Sequence, residues 1–171
     1  MYNQSLFFQI VSSNIPVAAA LINGNSAHEH LTGVVQFYYV PFGGMIIATE
    51  LAGLPAGMVN GPEVLGFHIH ETGDCSDDFN HTGNHYNPDN LPHPHHLGDL
   101  PPILNNNGYA YSVVYNSYLK TSDVLGKSVI IHSQRDDFTT QPSGDSGTKI
   151  GCGLITAVRC ADYRNEFPNT I

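Results

Sequence analysis

His68-x-His70, His85, His93-x-x-His96-x-x-Asp99 and His132 make an ordered set of six histidines and one aspartate. Seven of the ten histidines lie between positions 68 and 96, a density that no ordinary core requires. Imidazole is the commonest protein ligand for copper and zinc. Seven such ligands exceed the need of one tetrahedral ion and suit two neighbouring ions that share a ligand.

His68 and His70 are two apart on a predicted strand, so both project from one face and can ligate one ion together. His132, at the end of another predicted strand, supplies a third ligand. His93, His96 and Asp99 come at intervals of three among Pro92, Pro94 and Gly98. The prolines exclude a regular helix, so a tight loop must gather the three. With one more histidine they would close a tetrahedral zinc site, and His95 competes for a place in it. His85 lies between the two sets and can be the fourth ligand of both ions if its ring gives up both protons. Two divalent cations favour that loss.

Such ligands need a rigid frame. Val17–Ile22, Gly33–Val40, Met45–Leu51, Val64–His70, Tyr109–Tyr115, Lys127–His132 and Ile150–Val158 read as strands, punctuated by turns such as Asn23-Gly24-Asn25 and Pro41-Phe42-Gly43-Gly44. This pattern predicts an all-β fold, a Greek-key barrel or sandwich of about eight antiparallel strands, with no long amphipathic helix and no repeat. Glu71–Asn107 and Ser133–Lys149 interrupt it as two long loops, the kind that carries function. The site is expected as loops folded over one side of a rigid barrel.

The 171 residues suit one domain with a core over residues 15–160 and a polar tail over 161–171. Charged residues are only 12%, and the net charge is −9 with six Lys and Arg. Nothing resembles a basic patch, which argues against nucleic acid or an anionic membrane as partner. No apolar run is long enough to span a bilayer. The N-terminus lacks the basic start of a signal peptide, so a cytoplasmic location is the default expectation, with an extracytoplasmic one open for a mature or truncated form. None of the three cysteines, Cys75, Cys152 and Cys160, sits in a C-x-x-C pair, so a thiolate zinc site is not expected. One disulfide and one free thiol is the simplest arithmetic.

Gly66-Phe67-His68-Ile69-His70-Glu71, Gly83-Asn84-His85-Tyr86-Asn87-Pro88, His96-Leu97-Gly98-Asp99 and Gly151-Cys152-Gly153 together resemble the copper/zinc superoxide dismutase family, in its order and over residues 15–160. The resemblance implies a Greek-key β-barrel that converts superoxide to dioxygen and hydrogen peroxide by copper redox cycling, with a homodimer left open. It implies that His68, His70 and His132 hold copper, that His85 bridges copper and zinc and relays a proton, and that His93, His96 and Asp99 complete the zinc site. Cys75 and Cys152 match the family's disulfide. Asp136 matches the carboxylate that links a copper histidine to a zinc histidine and fixes their rings. Lys149 stands where the family usually carries an arginine that attracts the anion.

The chain also departs from the family. The His93–His96 spacing is shorter than in many relatives, and His96 is preferred to His95 because it precedes Leu97-Gly98-Asp99. Lysine for arginine keeps the charge but loses the bidentate fork. The second loop has no lysine–glutamate cluster before Lys149, so long-range steering is expected to be weaker. His28, His30 and His81 read as exposed, Cys160 as a buried thiol, and Tyr109, Tyr111, Tyr115 and Tyr118 as packing a barrel face or a subunit contact. The alternative function is a non-catalytic copper/zinc-binding module of the same fold.

Overall fold

The structure is a computed structural model that describes residues 6–55 and 64–159. A short helix, α1 (Leu6–Ser13), precedes β1 (Ala18–Gly24), β2 (Thr32–Tyr39) and β3 (Met45–Ala52). Next come β4 (Val64–Leu65), β5 (Phe67–His70), a 3-10 turn (Asp77–Thr82), β6 (Ile103–Leu104) and β7 (Tyr109–Asn116). The chain closes with α2 (Thr121–Val124), β8 (Ser128–His132), β9 (Lys149–Leu154) and β10 (Thr156–Ala157). Eight strands form one curled sheet in the order β5-β8-β9-β1-β2-β3-β7, with β10 on β1. Every pairing is antiparallel. β4 pairs with β6, and these two lead into β5 and β7, the two ends of the sheet path. The small pair therefore links both ends of the sheet, and the fold is the all-β Greek-key barrel predicted from the sequence.

Alternation fills the barrel. Ala18, Ala20 and Ile22 of β1, Val35 and Phe37 of β2, Phe67 and Ile69 of β5, and Val129 and Ile131 of β8 meet in one buried core. Burying each large side chain is worth about 1.5–3 kcal/mol. Residues between them on β5 and β8 point the other way, so His68 and His70 stand on the outer face of a strand whose inner face is anchored.

Two expected strands divide. Val64–His70 breaks at Gly66, and Ile150–Val158 breaks at Ile155. The first expected loop contains the 3-10 turn and β6, and Lys149 belongs to β9 rather than to the second loop. The sequence reading assigned no element to residues 6–13. There α1 seats Ile10 on an outer apolar patch of Tyr38, Val40, Ile46 and Ala48. Tyr109, Tyr111, Tyr115 and Tyr118 are exposed, and the Tyr115 ring packs at a tilt against Phe7 and Phe42. His30 and His81 are exposed, but His28 is half-buried with Nδ1 on Asn25 Oδ1 at 2.8 Å. Cys160 and the polar tail lie outside the described residues. Among the described residues no helix is long and apolar enough to cross a membrane.

Cys75 and Cys152 form a disulfide across 77 residues and tie the first long loop to β9. Closing so long a loop removes about 4 kcal/mol of freedom from the unfolded chain. Replacing both cysteines with serine should lower the unfolding free energy by about 2–4 kcal/mol, read as a lower urea midpoint with a steeper slope as the unfolded chain expands. An unchanged midpoint would mean that noncovalent contacts alone hold the loop.

Candidate metal centre

β5 supplies the first two histidines and also the rail on which others dock. Tyr86 N donates to Ile69 O (2.8 Å), Ile69 N to Gly98 O (2.9 Å) and Glu71 N to Asn84 O (3.0 Å). These bonds lay residues 84–86 and 97–100 along the strand, with His85 opposite His70 and Asp99 opposite His68. Gly98 is required there, because a Cβ would collide with Ile69 O and Tyr86 N.

His132 arrives from β8, and a bulge between Ile131 and His132 sets Lys149 rather than Ile150 opposite it. A bulge re-aims side chains. This one puts Lys149 beside His70, His85 and His132 on the wall of a cleft of about 400 Å³.

Two clusters result, His68 with His70, His85 and His132, and His85 with His93, His96 and Asp99. In each, the candidate ligand atoms lie within 4.8 Å of one another. His95 is exposed and belongs to neither cluster. It lines a second cleft of about 810 Å³ that reaches His96 and Asp99 from the other side.

Hydrogen bonds fix the tautomers. His68 Nε2 donates to Asp136 Oδ2 at 2.8 Å, which leaves its Nδ1 as a lone pair. His70 Nδ1 donates to Gly83 O (2.9 Å) and His132 Nδ1 to Gly147 O (3.4 Å), so their Nε2 atoms face each other at 3.3 Å. His85 Nδ1 donates to Asp99 Oδ1 at 2.8 Å, and its ring stacks on that of His68 with centroids 3.8 Å apart. His93 Nε2 donates to Asp136 Oδ1 at 2.9 Å. His68 Nδ1, His85 Nε2, His93 Nδ1 and His96 Nδ1 are all buried without a hydrogen-bond partner. Buried polar atoms are otherwise almost always satisfied. Converging unpaired ring nitrogens are the donor set that divalent metal ions take, so the residues fit two ions that share His85.

The electrostatics agree. Burial pushes the His68 imidazole down to about 4, against the pull of Asp136. Burial, with help from neighbouring imidazoles, pushes His132 to about 3 and His70 to about 2. All three therefore offer lone pairs at neutral pH. Burial opposes ionisation of Asp136, but bonds from His68, the Phe138 N–H and His93 outweigh it and bring the carboxyl to about 2. Asp99 behaves alike. Burial resists its charge, and His85 and the neighbouring histidines hold it below the usual carboxylate range.

Sequence reasoning missed three supports. Gln141 brackets the His93 backbone, accepting from its N–H (3.0 Å) and donating to its carbonyl (2.7 Å). Gly144, at φ +69°, leaves room for Asp136 and His93, where a Cβ would strike both. Thr82, fully buried, accepts a hydrogen bond from Lys149 Nζ at 2.8 Å. Only the glycine in a turn-rich loop carried any signal.

The model of a family described as copper/zinc superoxide dismutase matches residues 31–155. A copper-zinc superoxide dismutase of Legionella pneumophila is 37% identical over 131 residues, covering 72% of this chain and 76% of that protein. The copper chaperone for superoxide dismutase of Homo sapiens is 30% identical over 155 residues, covering 83% of this chain and 53% of that protein. The crystal structure of a double mutant of a SOD-like protein from Bacillus subtilis matches with a TM-score of 0.68 and 30% identity, over 81% of this chain and 97% of that one.

Asp136→Asn should weaken metal binding about 10–100-fold in chelator competition, because one oxygen then no longer accepts from its histidine. A second expectation concerns the metal-free protein. His68, His70 and His132 stay neutral there well below the ordinary value of about 6.5, while in the unfolded chain they protonate near it. Stability is therefore steady above pH 6.5 and falls as pH drops from 6.5 towards 4. A denaturation midpoint unchanged between pH 7.5 and pH 5 would contradict this.

Proposed function

This chain belongs to the copper/zinc superoxide dismutase family, and on that premise we propose that it is an active dismutase. Its copper ligands are His68, His70, His85 and His132, and its zinc ligands His85, His93, His96 and Asp99. The observation that carries the reading is the set of buried, unpaired ring nitrogens of His68, His85, His93 and His96, next to a cleft lined by His70, His85, His132 and Lys149. When bound, copper supplies the one-electron chemistry that turns two superoxide ions and two protons into dioxygen and hydrogen peroxide, and zinc is structural.

Lys149 places a positive charge in that cleft, in a chain whose net charge is −9, and so draws in and orients the anion. His85 is the proton carrier. Its Nε2, buried and unpaired on the copper side, would hold the proton handed to the oxygen anion, while Nδ1 faces Asp99 on the zinc side. Asp136 keeps the His68 and His93 rings turned so that both Nδ1 atoms face inward. The loops around them leave a cleft through which an anion can reach His70, His85, His132 and Lys149.

A second reading, a non-catalytic copper-binding module, is favoured by the likeness to a copper chaperone. A delivery domain has no need of a full four-histidine set with a cation beside it, which is why the enzyme is preferred.

Protein reconstituted with copper and zinc should hold about one of each per chain and dismute superoxide rapidly. Both metals without turnover would favour the module. Lys149→Glu should slow dismutation at least about tenfold while both metals stay bound. A full rate in that variant would remove Lys149 from the mechanism.

A further inference from the structure

The Lys149 ammonium has three hydrogens and three acceptors around it: Thr82 Oγ1 at 2.8 Å, Gly83 O at 3.2 Å and Phe79 O at 3.3 Å. That number suits an ammonium, whereas a guanidinium would need a flat fork of acceptors. Thr82 spends its own hydrogen on Phe79 O at 2.9 Å, so its lone pairs are what remain for Lys149. Gly83 O also accepts from His70 Nδ1, which ties the seat of the cation to one of the clustered histidines.

The segment bearing these acceptors is unusual. Asp77, Asp78 and Phe79 have φ of 51°, 47° and 72°, three consecutive non-glycine residues in the left-handed region. Such a run persists only where the surroundings over-determine it, and such runs gather at functional sites. Here the Phe79 ring packs with Ile130, Cys152 and Cys75. Asp78 accepts from Ser26 N (3.0 Å) and Ser26 Oγ (2.8 Å). The outcome is a set of oxygens converging on Nζ of Lys149.

We propose that Thr82 is the positioning residue that holds the Lys149 ammonium for capture of a small monoanion at the cleft. The proposal rests on the role given to Lys149 above. It treats Asp77–Gly83 as a cradle built for an ammonium, with the fully buried Thr82 hydroxyl as the side chain that completes it.

The test uses Thr82→Val, Thr82→Ser, Lys149→Met and the double variant Thr82→Val/Lys149→Met, each loaded with copper and zinc. Azide is the anion probe, and its dissociation constant is read from copper absorption. Thr82→Val should weaken azide about tenfold, the worth of one hydrogen bond to a charged group, at unchanged metal content. Thr82→Ser should restore the affinity to within about twofold. The double variant should be no weaker than Lys149→Met alone, since both changes act on one group. Independently, the metal-free parent should give a slowly exchanging Lys149 ammonium signal in nitrogen-15 NMR, and its absence overturns the cradle even if Thr82→Val fails to fold. Parent-like azide binding in Thr82→Val beside impaired Lys149→Met rejects Thr82 and keeps Lys149. Additive losses in the double variant also reject Thr82. Unchanged binding in Lys149→Met rejects the role of Lys149 itself, and the proposal with it.

Discussion

The carboxylate of Asp136 spans the two histidine clusters, with one oxygen on His68 and the other on His93. Both rings are buried and can rotate only by giving up a bond to a charged acceptor. That single side chain therefore decides which nitrogens face inward in both clusters, and it couples the barrel strand β5 to the loop that carries His93. Other contacts serve to keep Asp136 in place. The Phe138 N–H donates to Oδ1 at 2.7 Å, and Gly144 leaves the space that the carboxylate occupies. A buried carboxylate is costly unless fully hydrogen-bonded, and this one is. Its neighbours hold it ionised far into acid.

The centre sits on the outside of the barrel rather than within it, for a reason of strand geometry. Phe67 and Ile69 fix the inner face of β5, so His68 and His70 have no choice of direction. Two loops then cover an outer face that would otherwise meet water. The covering converts a solvent-facing pair of imidazoles into a dry cluster, and dryness is what keeps them neutral rather than cationic.

Features with a fixed sequence period were readable from the chain alone. The alternation of β5, the ligands at intervals of three around Pro94 and the strand runs of β2, β3 and β7 each carry their signal within a few residues. What could not be read depends on partners far away in sequence. The bulge that sets Lys149 opposite His132 is an offset between β8 and β9, and one strand alone does not encode it. The left-handed run at Asp77–Phe79 has no glycine, its two aspartates tolerate such a backbone without requiring it, and a disulfide, a buried ring and Ser26 hold it from three sides. Gln141 and Thr82 look like ordinary loop residues until the fold brings His93 and Lys149 to them. The family resemblance named Asp136, but the oxygen-by-oxygen division of its bonds is visible only in three dimensions.

The disulfide joins the two ends of one working part. Lys149 roots in β9 three residues before Cys152, while the oxygens that grip its head lie on the loop that Cys75 anchors. Oxidation thus closes a covalent bracket around the cation, and the same loop presents Gly83 O to His70. A newly made chain with free thiols holds that bracket only by packing. Opening the disulfide would uncouple the acceptor loop from β9, so the seat of the cation rests on one sulfur–sulfur bond as well as on packing.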